Sequence, residues 1–326
     1  MFKNKKVLVT GGAGLAGLCL IKRLLPLGAK VRATIHEKEP AARDGRVEYV
    51  RADLTRKEDC AKAVAGVEYV FHLAQQIGAA VTMERDPLFL LTSNVIMNAL
   101  MLESAYRAKV KKFLFLGSST SYPSTGERPT REEEFLDGDP YEKYFIPGWM
   151  KRIGEIMCRM YAEKINPPMP IIVLRPTNIY GEHDKVDPDR AHVLPSLVRK
   201  VVERQNPLEV WGTGDDVRDF IYVDDLVDAI FLAMEKVDSY NPINIGAGKG
   251  YTVKELLRII LEEDGYTDAE IVFNPAKPTM IPIRKVDIAK AKEILGFTPK
   301  TDLREGVRKT IRWYRESYAF PRDISV

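Results

Sequence analysis

The stretch that decides the fold is Lys6-Val7-Leu8-Val9-Thr10-Gly11-Gly12-Ala13-Gly14-Leu15-Ala16-Gly17, near the start of the sequence. A short apolar strand runs directly into a glycine-rich turn, and the turn runs into a helical pattern over residues 18–25. Glycine at Gly11, Gly14 and Gly17 permits a tight turn, a close backbone approach to a pyrophosphate, and close packing of helix on strand. The start of the helix offers unpaired N–H groups to phosphates. The stretch therefore predicts a dinucleotide site, built from these glycines together with Leu15 and Ala16.

Strand and helix patterns alternate over the first half of the chain. Strands are predicted at Lys6–Thr10, Lys30–Ile35, 47–51, 67–73, 112–117 and 170–174, and helices at 18–25, Lys57–Val64, 86–108 and 148–164. This alternation predicts an α/β fold of Rossmann type, a doubly wound parallel sheet with helices on both faces.

The pattern changes after about residue 176, where the loops lengthen and the elements shorten. Strands are predicted at Leu208–Trp211, 219–223 and Ile271–Asn274, and helices at 223–235, 252–263, 287–295 and Leu303–Tyr314. We therefore expect residues 1–176 to form the dinucleotide-binding domain, with a segment of about 219–246 returning to its sheet. Residues 177–326 are expected to form a smaller α/β lobe that holds the substrate.

The composition excludes several classes of partner. The chain has 326 residues, of which 45% are hydrophobic and 29% charged, and its net charge is +3 with both signs interspersed. Such a composition is typical of a globular protein and gives no support for nucleic acid or an anionic membrane as partner. No apolar run reaches transmembrane length. The scattered cysteines Cys19, Cys60 and Cys158 have neither metal-site nor disulfide spacing, which favours a reducing, cytoplasmic setting and no metal.

The end of the second strand is where such a fold distinguishes one dinucleotide from another. An acidic residue there accepts hydrogen bonds from the ribose 2′-hydroxyl, whereas a basic residue meets a 2′-phosphate. The stretch contains the bases Arg32, His36 and Lys38, with Glu37 as its acid. NAD and NADP therefore both stay open as cofactors, and the alternative is that these side chains are solvated loop charges.

Asp53 follows the third strand, in Arg51-Ala52-Asp53-Leu54. This position predicts a contact with the adenine edge of the dinucleotide. The alternative is that Asp53 is the N-cap of a helix that begins near Arg56.

Segments along nearly the whole chain resemble one family, the extended short-chain dehydrogenases/reductases. The resemblance rests on residues 10–17, 51–54, 71–74, Asn94, 117–123, 175–181 and 218–225. Together these segments are specific for the NAD-dependent nucleotide-sugar epimerases and dehydratases. Residues 116–123, 176–184 and 192–195, with Arg284, look most like GDP-fucose synthase-like members. The resemblance implies NAD or NADP as cofactor, a nucleotide-diphosphate sugar as substrate, and cofactor contacts from His36, Asp53, Leu54 and Leu73.

The resemblance also implies hydride transfer at a sugar carbon, with three side chains around the reacting hydroxyl. In the family a tyrosine moves the hydroxyl proton, a lysine four residues later binds the nicotinamide ribose, and a serine or threonine hydrogen-bonds the oxygen. Ser118 and Lys151 match the serine and the lysine, but the position of the tyrosine is Pro147. Tyr144 is the predicted substitute, brought in by a bend of the chain at Pro147. The alternative is that Tyr141 and Tyr144 only pack in a loop.

Two further positions narrow the reaction. Dehydratases of the family carry Asp-Glu directly after the hydroxyl residue, where this chain has Ser119 and Thr120, so dehydration is not expected. In GDP-fucose synthases a cysteine stands at the position of Thr120 and a histidine matches His192. Thr120 is a candidate catalytic residue by this match, although a hydroxyl is too weak a base to favour double epimerisation. His192 is assigned to substrate binding, with an acid role left open.

The resemblance assigns four other side chains to the nucleotide sugar. Arg218 and Arg284 match pyrophosphate contacts, for which the guanidinium fork suits phosphate geometry. Asn178 matches an amide on the diphosphate side. Trp211 lies near the position of the base, and the alternative is that its indole fills the core of the smaller lobe.

The two long predicted helices, 86–108 and 148–164, resemble the pair that forms a homodimeric four-helix bundle in relatives. Their apolar positions are also consistent with packing on the sheet of a single chain.

The sequence thus predicts an NAD(P)-dependent nucleotide-sugar epimerase that works through a transient 4-keto sugar. The alternative is an NADPH-dependent reductase of a 4-keto-sugar nucleotide. An alternative of another class, motivated by Pro147, is a catalytically impaired protein that binds the cofactor and the nucleotide sugar.

Overall fold

The structure, a computed structural model, describes residues 1–76, 87–187 and 191–319. The helices are α1 (Leu15–Leu24), α2 (Lys57–Val64), α3 (Pro87–Arg107), α4 (Phe145–Glu163), α5 (Val193–Val202), α6 (Val223–Lys236), α7 (Val253–Asp264) and α8 (Leu303–Tyr314). The strands are β1 (Lys6–Thr10), β2 (Lys30–Ile35), β3 (Glu48–Arg51), β4 (Tyr69–His72), β5 (Lys112–Leu116), β6 (Ile171–Pro176), β7 (Asn178–Tyr180), β8 (Leu208–Trp211), β9 (Val217–Tyr222), β10 (Ile243–Ile245), β11 (Gly250–Thr252), β12 (Ile271–Asn274) and β13 (Ile283–Arg284).

Seven parallel strands form the larger sheet, in the order β10-β6-β5-β4-β1-β2-β3. The apolar strands suit this sheet because it is covered on both faces, and all six residues of β6 are buried. Helices α1 and α6 cover one face, and α2, α3 and α4 cover the other. The predicted doubly wound α/β fold is confirmed. The strand order reverses between β1 and β4, which is where such sheets bind ligands.

The smaller lobe has its own sheets and its own core. Strands β7, β9, β11 and β13 form a four-stranded sheet, and β8 pairs with β12. Helices α5, α7 and α8 pack on these strands around a separate apolar cluster. The segment of about 219–246 was expected to return to the large sheet. Its first part, β9, instead pairs with strands of the smaller lobe, and the return begins with α6. The domain boundaries themselves stay a prediction.

Two helices begin earlier than the sequence pattern indicates. Helix α1 begins at Leu15 rather than at residue 18, because Gly14 already has the extended backbone of an N-cap residue. Helix α4 begins at Phe145, so Pro147 is its third residue. Proline is tolerated in the first turn because its missing N–H would have no partner within the helix. The helix therefore continues through Pro147, where a bend of the chain was expected, and Tyr144 as the substitute for the tyrosine stays a prediction.

The helix predicted over residues 287–295 forms as a short segment over residues 289–295, whose last five residues, Ala291–Leu295, have the wider π-helical turn. None of the helices in the described parts of the chain is long and apolar enough to cross a membrane.

Candidate functional site

The glycine loop between β1 and α1 is tight enough that side chains would not fit in it. Gly11 has a φ of +69°, a conformation that residues with a Cβ rarely adopt. A Cβ on Gly17 would lie 2.3 Å from the carbonyl oxygen of Gly11. The backbone of the first turn of α1 therefore packs directly on the end of β1, as a dinucleotide-binding loop requires.

The loop is fixed to the neighbouring strand and leaves the start of α1 free for an anion. The hydroxyl of Thr10 accepts hydrogen bonds from the backbone N–H groups of Leu73 and Ala74, at 3.0 and 2.9 Å. Gly14 caps α1 without a side-chain hydrogen bond, and the first turn contains no acidic residue. A diphosphate could accept hydrogen bonds from this turn, which lies at the point where the strand order reverses. The residues present therefore fit a dinucleotide.

Fewer basic side chains are available to the cofactor at the end of β2 than the sequence suggests. Arg32 is buried, and its guanidinium donates to the backbone oxygens of Lys62, Ala63 and Ala65 at the end of α2. These carbonyls attract the cation because they lie at the C-terminal end of the helix, which carries partial negative charge. Arg32 is therefore not available to read a 2′-phosphate. His36 is exposed directly after β2, as is Lys38.

Asp53 lies two residues after the end of β3, and its side chain is hydrogen-bonded within its own loop. One carboxylate oxygen accepts from the backbone N–H and the hydroxyl of Thr55, at 3.0 and 2.7 Å, and these bonds lower the pKa of Asp53. The N-cap of α2 is Arg56, so the interpretation of Asp53 as N-cap is wrong. Leu54, which follows it, is buried in the core beneath the sheet.

Ser118 stands just beyond the end of β5. Its hydroxyl oxygen accepts from the backbone N–H of Thr120 at 3.1 Å and from the Thr120 hydroxyl at 2.9 Å. Helix α4 packs against this turn so closely that a Cβ on Gly148 would lie 2.7 Å from the Thr120 carbonyl oxygen. The two hydroxyl residues and the start of α4 thus form one corner of the site.

Lys151 projects from α4 into the same corner and is buried. Its Nζ donates to the carbonyl oxygen of Leu116, the last residue of β5, at 2.7 Å. It also lies 5.5 Å from the centre of the Phe115 ring. Burial lowers the pKa of Lys151 to about 7. A buried amine with this pKa exchanges a proton readily near neutral pH.

Tyr144, the predicted substitute for the missing tyrosine, is the N-cap residue of α4. Its ring lies 5.9 Å from the guanidinium of Arg284 and 6.5 Å from the Tyr141 ring. Burial raises the pKa of Tyr144, although the charges of Arg218 and Arg284 act in the opposite direction. Within the described residues, no hydrogen bond joins the Tyr144 hydroxyl to Ser118 or Lys151.

Arg218 and Arg284 stand side by side, because β9 and β13 pair in the register that sets these two residues opposite each other. Both are buried. Arg284 donates to the backbone oxygens of Tyr122 and Pro123, at 3.3 and 3.2 Å, and its buried Nε has no partner among the described residues. Burial, together with the charge of Arg218, lowers the pKa of Arg284 to about 10. Two adjacent buried cations of this kind form a site for an anion.

The other residues assigned to the substrate lie at the border of the smaller lobe. The side-chain amide of Asn178 donates to the carbonyl oxygen of Asp219 at 3.2 Å. Trp211 is 38% exposed at the end of β8, so it does not fill the core of the lobe. Lys277 lies 5.6 Å from the centre of its ring. His192 is exposed and directly precedes α5.

A buried polar network behind Ser118 was missed by sequence reasoning. Arg175 on β6 forms an ion pair with Glu155 on α4, and both side chains are almost fully buried. The Nη1 group of Arg175 also donates to the hydroxyl of Tyr122 at 2.6 Å. That hydroxyl donates to the amide oxygen of Asn244 on β10 at 2.6 Å. One signal was present in the sequence: Glu155 is one helical turn after Lys151, and Arg175 interrupts an otherwise apolar strand.

Comparisons with known proteins agree on one family. The sequence model of the NAD dependent epimerase/dehydratase family matches residues 7–246. A probable GDP-L-fucose synthase 1 from Oryza sativa subsp. japonica is 32% identical over 97% of this chain and 93% of its own length.

Solved structures share the fold along almost the whole chain. The UDP-glucose 4-epimerase of Thermotoga maritima, solved with UDP-glucose, is 30% identical with a TM-score of 0.86, covering 95% of this chain and 99% of that chain. A GDP-mannoheptose C4 reductase from Campylobacter jejuni, solved with NADP bound, is 27% identical with a TM-score of 0.82, covering 97% and 99%.

Proposed function

The chain belongs to the NAD-dependent epimerase/dehydratase family, and on that premise we propose that it is an NAD(P)-dependent nucleotide-sugar epimerase. In this proposal a sugar carbon is oxidised to a transient ketone and reduced again on its other face. The glycine loop would hold the nicotinamide cofactor, which would supply the hydride chemistry when bound. The relatives that act on nucleotide sugars, and the UDP-glucose found with one of them, support this substrate class.

The observation that carries the proposal is the buried pair Arg218 and Arg284. Arg218 already pairs with Asp216 at 3.3 Å, whereas Arg284 has no carboxylate ion pair among the described residues and its buried Nε has no partner, which leaves positive charge to be balanced. A diphosphate supplies two charges with acceptor oxygens in the geometry of a guanidinium fork. Arg284 also bonds the segment that follows Ser118, so a diphosphate here would hold its sugar near the hydroxyl residues and Lys151.

Each remaining residue has a proposed role. The glycine loop, with Leu15 and Ala16, binds the cofactor diphosphate through backbone N–H groups. Asp53 and Leu54 border the adenine, His36 lies beside the adenosine ribose, and Leu73 lines the cofactor cleft.

The substrate side has its own set of residues. Ser118 orients the sugar hydroxyl, and Thr120 supports it through the hydrogen bond between the two hydroxyls. Asn178 and His192 contact the nucleotide sugar, and Trp211 stacks on its base. Tyr144 as a proton relay stays a prediction.

Two other functions remain as alternatives. A reductase of a 4-keto-sugar nucleotide is favoured by the likeness to a C4 reductase solved with NADP. A catalytically impaired binding protein is favoured by the absence of the family tyrosine at Pro147.

One set of assays separates these functions. The purified chain is expected to carry or bind NAD(H) or NADP(H), and to interconvert epimers in a panel of UDP-, GDP- and dTDP-hexoses without net change in nicotinamide absorbance. Consumption of NADPH with 4-keto-sugar nucleotides, and no epimerisation, would instead identify the reductase. Cofactor binding without turnover of any of these sugars would identify the binding protein. A cytoplasmic location stays a prediction from the cysteine pattern.

We also propose that the chain forms a homodimer through α3 and α4, which pack against each other on one face of the large sheet. Leu88 and Ile96 on α3 are 68% and 40% exposed, and Met160 on α4 is 49% exposed. Exposed apolar side chains on paired helices suit a four-helix bundle between two copies. Sedimentation equilibrium should give twice the chain mass for the wild type and a single mass for an Ile96→Asp/Met160→Asp variant.

A further inference from the structure

The site lacks a phenol where the proton of the reacting hydroxyl should move. Pro147 occupies that place in the first turn of α4, four residues before Lys151. A proline side chain has no group that can donate, accept or titrate. Tyr144 contacts Arg284 and Tyr141, and it is not hydrogen-bonded to either Ser118 or Lys151. This geometry favours another group as the one that moves the proton.

Lys151 is the titratable side chain that the fold holds at this corner. Its Nζ is 2.7 Å from the carbonyl oxygen of Leu116, two residues before Ser118 in the chain. The ring of Phe115 lies beneath it. Its bond to a carbonyl uses one N–H of the amine, which leaves the remaining valences of Nζ for a substrate oxygen.

The groups around Lys151 do not hold it permanently as a cation. No carboxylate of the described residues lies within ion-pairing distance of its Nζ, and Glu155, one turn further along α4, is bonded to Arg175 and to the hydroxyl of Tyr240. On β4, His72 is buried with a pKa lowered to about 4, partly by the charge of Lys151, and is therefore neutral near pH 7. The thiol of Cys158 on α4 is kept protonated by burial.

We propose that Lys151 is itself the acid–base catalyst of this enzyme and exchanges the proton of the sugar hydroxyl directly. The inference rests on the proposed function. In the oxidation, the sugar carbon gives a hydride to the oxidised nicotinamide, the hydroxyl proton moves to the lone pair of Nζ, and the carbonyl forms. In the return, the ketone receives a hydride on its other face, and Nζ gives the proton back to the oxygen. The pKa of Lys151 near 7 allows both protonation states to be populated during turnover.

The first test compares Lys151→Arg with Lys151→Arg/Pro147→Tyr in the full chain. Arginine keeps a cation for the cofactor but cannot release a proton at neutral pH. We expect kcat of Lys151→Arg to fall at least about 100-fold, with the Kd for NADH and NADPH changed less than about fivefold. The double variant, which supplies a phenol beside a cation, should recover at least about tenfold in kcat over Lys151→Arg. Melting temperatures show whether each variant is folded.

The second test measures the protonation of the Lys151 amine in the wild-type protein, and it requires no turnover. Wild-type protein is treated with cyanate over a range of pH, and carbamylation of Lys151 is measured by peptide mass spectrometry relative to exposed lysines in the same digest. Modification of Lys151 should reach its plateau near pH 8, and bound NADH or NADPH should slow it.

The outcomes separate the inference from the proposed function. Retention of more than a third of wild-type kcat by Lys151→Arg overturns the inference alone. So does a carbamylation profile that still rises above pH 10, or a double variant no faster than Lys151→Arg. A wild-type chain that converts none of the nucleotide sugars overturns the proposed function, and the inference with it. This outcome can be distinguished from a failure of the inference alone, because the wild-type protein itself then has no activity.

Discussion

At the scale of single residues, Gly17 is where the fold of the cofactor loop leaves least room for change. Gly17→Ala places a Cβ 2.3 Å from the Gly11 carbonyl oxygen, so the loop must move away from α1. We expect affinity for NADH and NADPH to fall at least about 100-fold and the free energy of unfolding to fall by about 1–3 kcal/mol. Fluorescence titration and urea unfolding measure the two effects. Gly45→Ala is the matched control, since no atom lies within 4 Å of its added Cβ; equal losses in both variants would contradict the argument.

Arg284 should determine affinity for the nucleotide sugar. Arg284→Gln removes a charge-assisted partner of the diphosphate, which is worth about 1.5–3 kcal/mol, or roughly 10–100-fold in affinity. We expect this increase in KM for the nucleotide sugar and in the Kd for UDP or GDP, with a smaller change in kcat. Calorimetric titration with the nucleoside diphosphates provides the second measurement. Arg304→Gln, at an exposed ion pair of α8, is the control; a normal Kd in Arg284→Gln would remove Arg284 from the diphosphate site.

Lys151 should make the stability of the protein depend on pH. Burial lowers its pKa from the usual 10.5 to about 7 in the folded chain. The folded state therefore disfavours the charged amine, and stability is lost as pH falls from about 10.5 to about 7. Lys151→Met should be more stable than wild type at pH 7, and this gain should shrink by about 3 kcal/mol at pH 9.5.

Urea unfolding at the two pH values measures the difference. Lys164→Met, an exposed position at the end of the same helix, should show no such dependence. The same gain for Lys151→Met at both pH values would argue against a neutral buried amine.

Some residue roles could be predicted from the sequence, and others could not. The glycines were predictable because only their lack of a side chain permits the turn. Arg32 was not, because a charged residue at the end of a strand can point either to the ligand or, as here, to the carbonyl end of a helix. The sequence does not specify which of these two directions the Arg32 side chain takes.

At the scale of elements, the ion pair between Arg175 and Glu155 holds α4 to the large sheet. Glu155→Gln leaves the buried guanidinium of Arg175 uncompensated, which should lower the free energy of unfolding by about 3–5 kcal/mol. The control lies on the same helix: Glu163→Gln removes an exposed pair with Arg159 and should change stability by less than about 0.5 kcal/mol. Chemical denaturation measures both. Similar small changes would show that α4 is held by apolar packing alone.

The elements themselves were largely predictable. The apolar strands and their alternation with helices indicated the parallel sheet, because buried parallel strands need apolar residues on both faces. The start of α4 was not predicted, because a proline in the first turn reads in sequence as a break before the helix. The difference matters for the site, because Tyr144 is the N-cap residue of α4 and not part of a loop that ends at Pro147.

At the scale of the whole molecule, the two halves of the cleft are joined through Asp219. This residue lies on β9 of the smaller lobe and is fully buried. Its two carboxylate oxygens accept from the backbone N–H groups of Ala247 and Gly248, at 2.8 and 3.1 Å, just after β10 of the large sheet. These bonds, together with those from Arg284 to Tyr122 and Pro123, help to hold the arginines of β9 and β13 in place relative to Lys151.

Asp219→Asn tests this connection, because an amide has one acceptor and would turn a donor toward one of the two N–H groups. We expect the free energy of unfolding to fall by about 1–3 kcal/mol, as for an unsatisfied buried donor. Amide exchange at Ala247 and Gly248 should accelerate, and KM for the nucleotide sugar should rise more than the Kd for the cofactor, which the large sheet binds. Asp215→Asn, at an exposed ion pair of the same lobe, is the control. Unchanged exchange at Gly248 in Asp219→Asn would mean that the lobes are held together by their apolar contacts, and that the spacing between the arginine pair and Lys151 does not depend on Asp219.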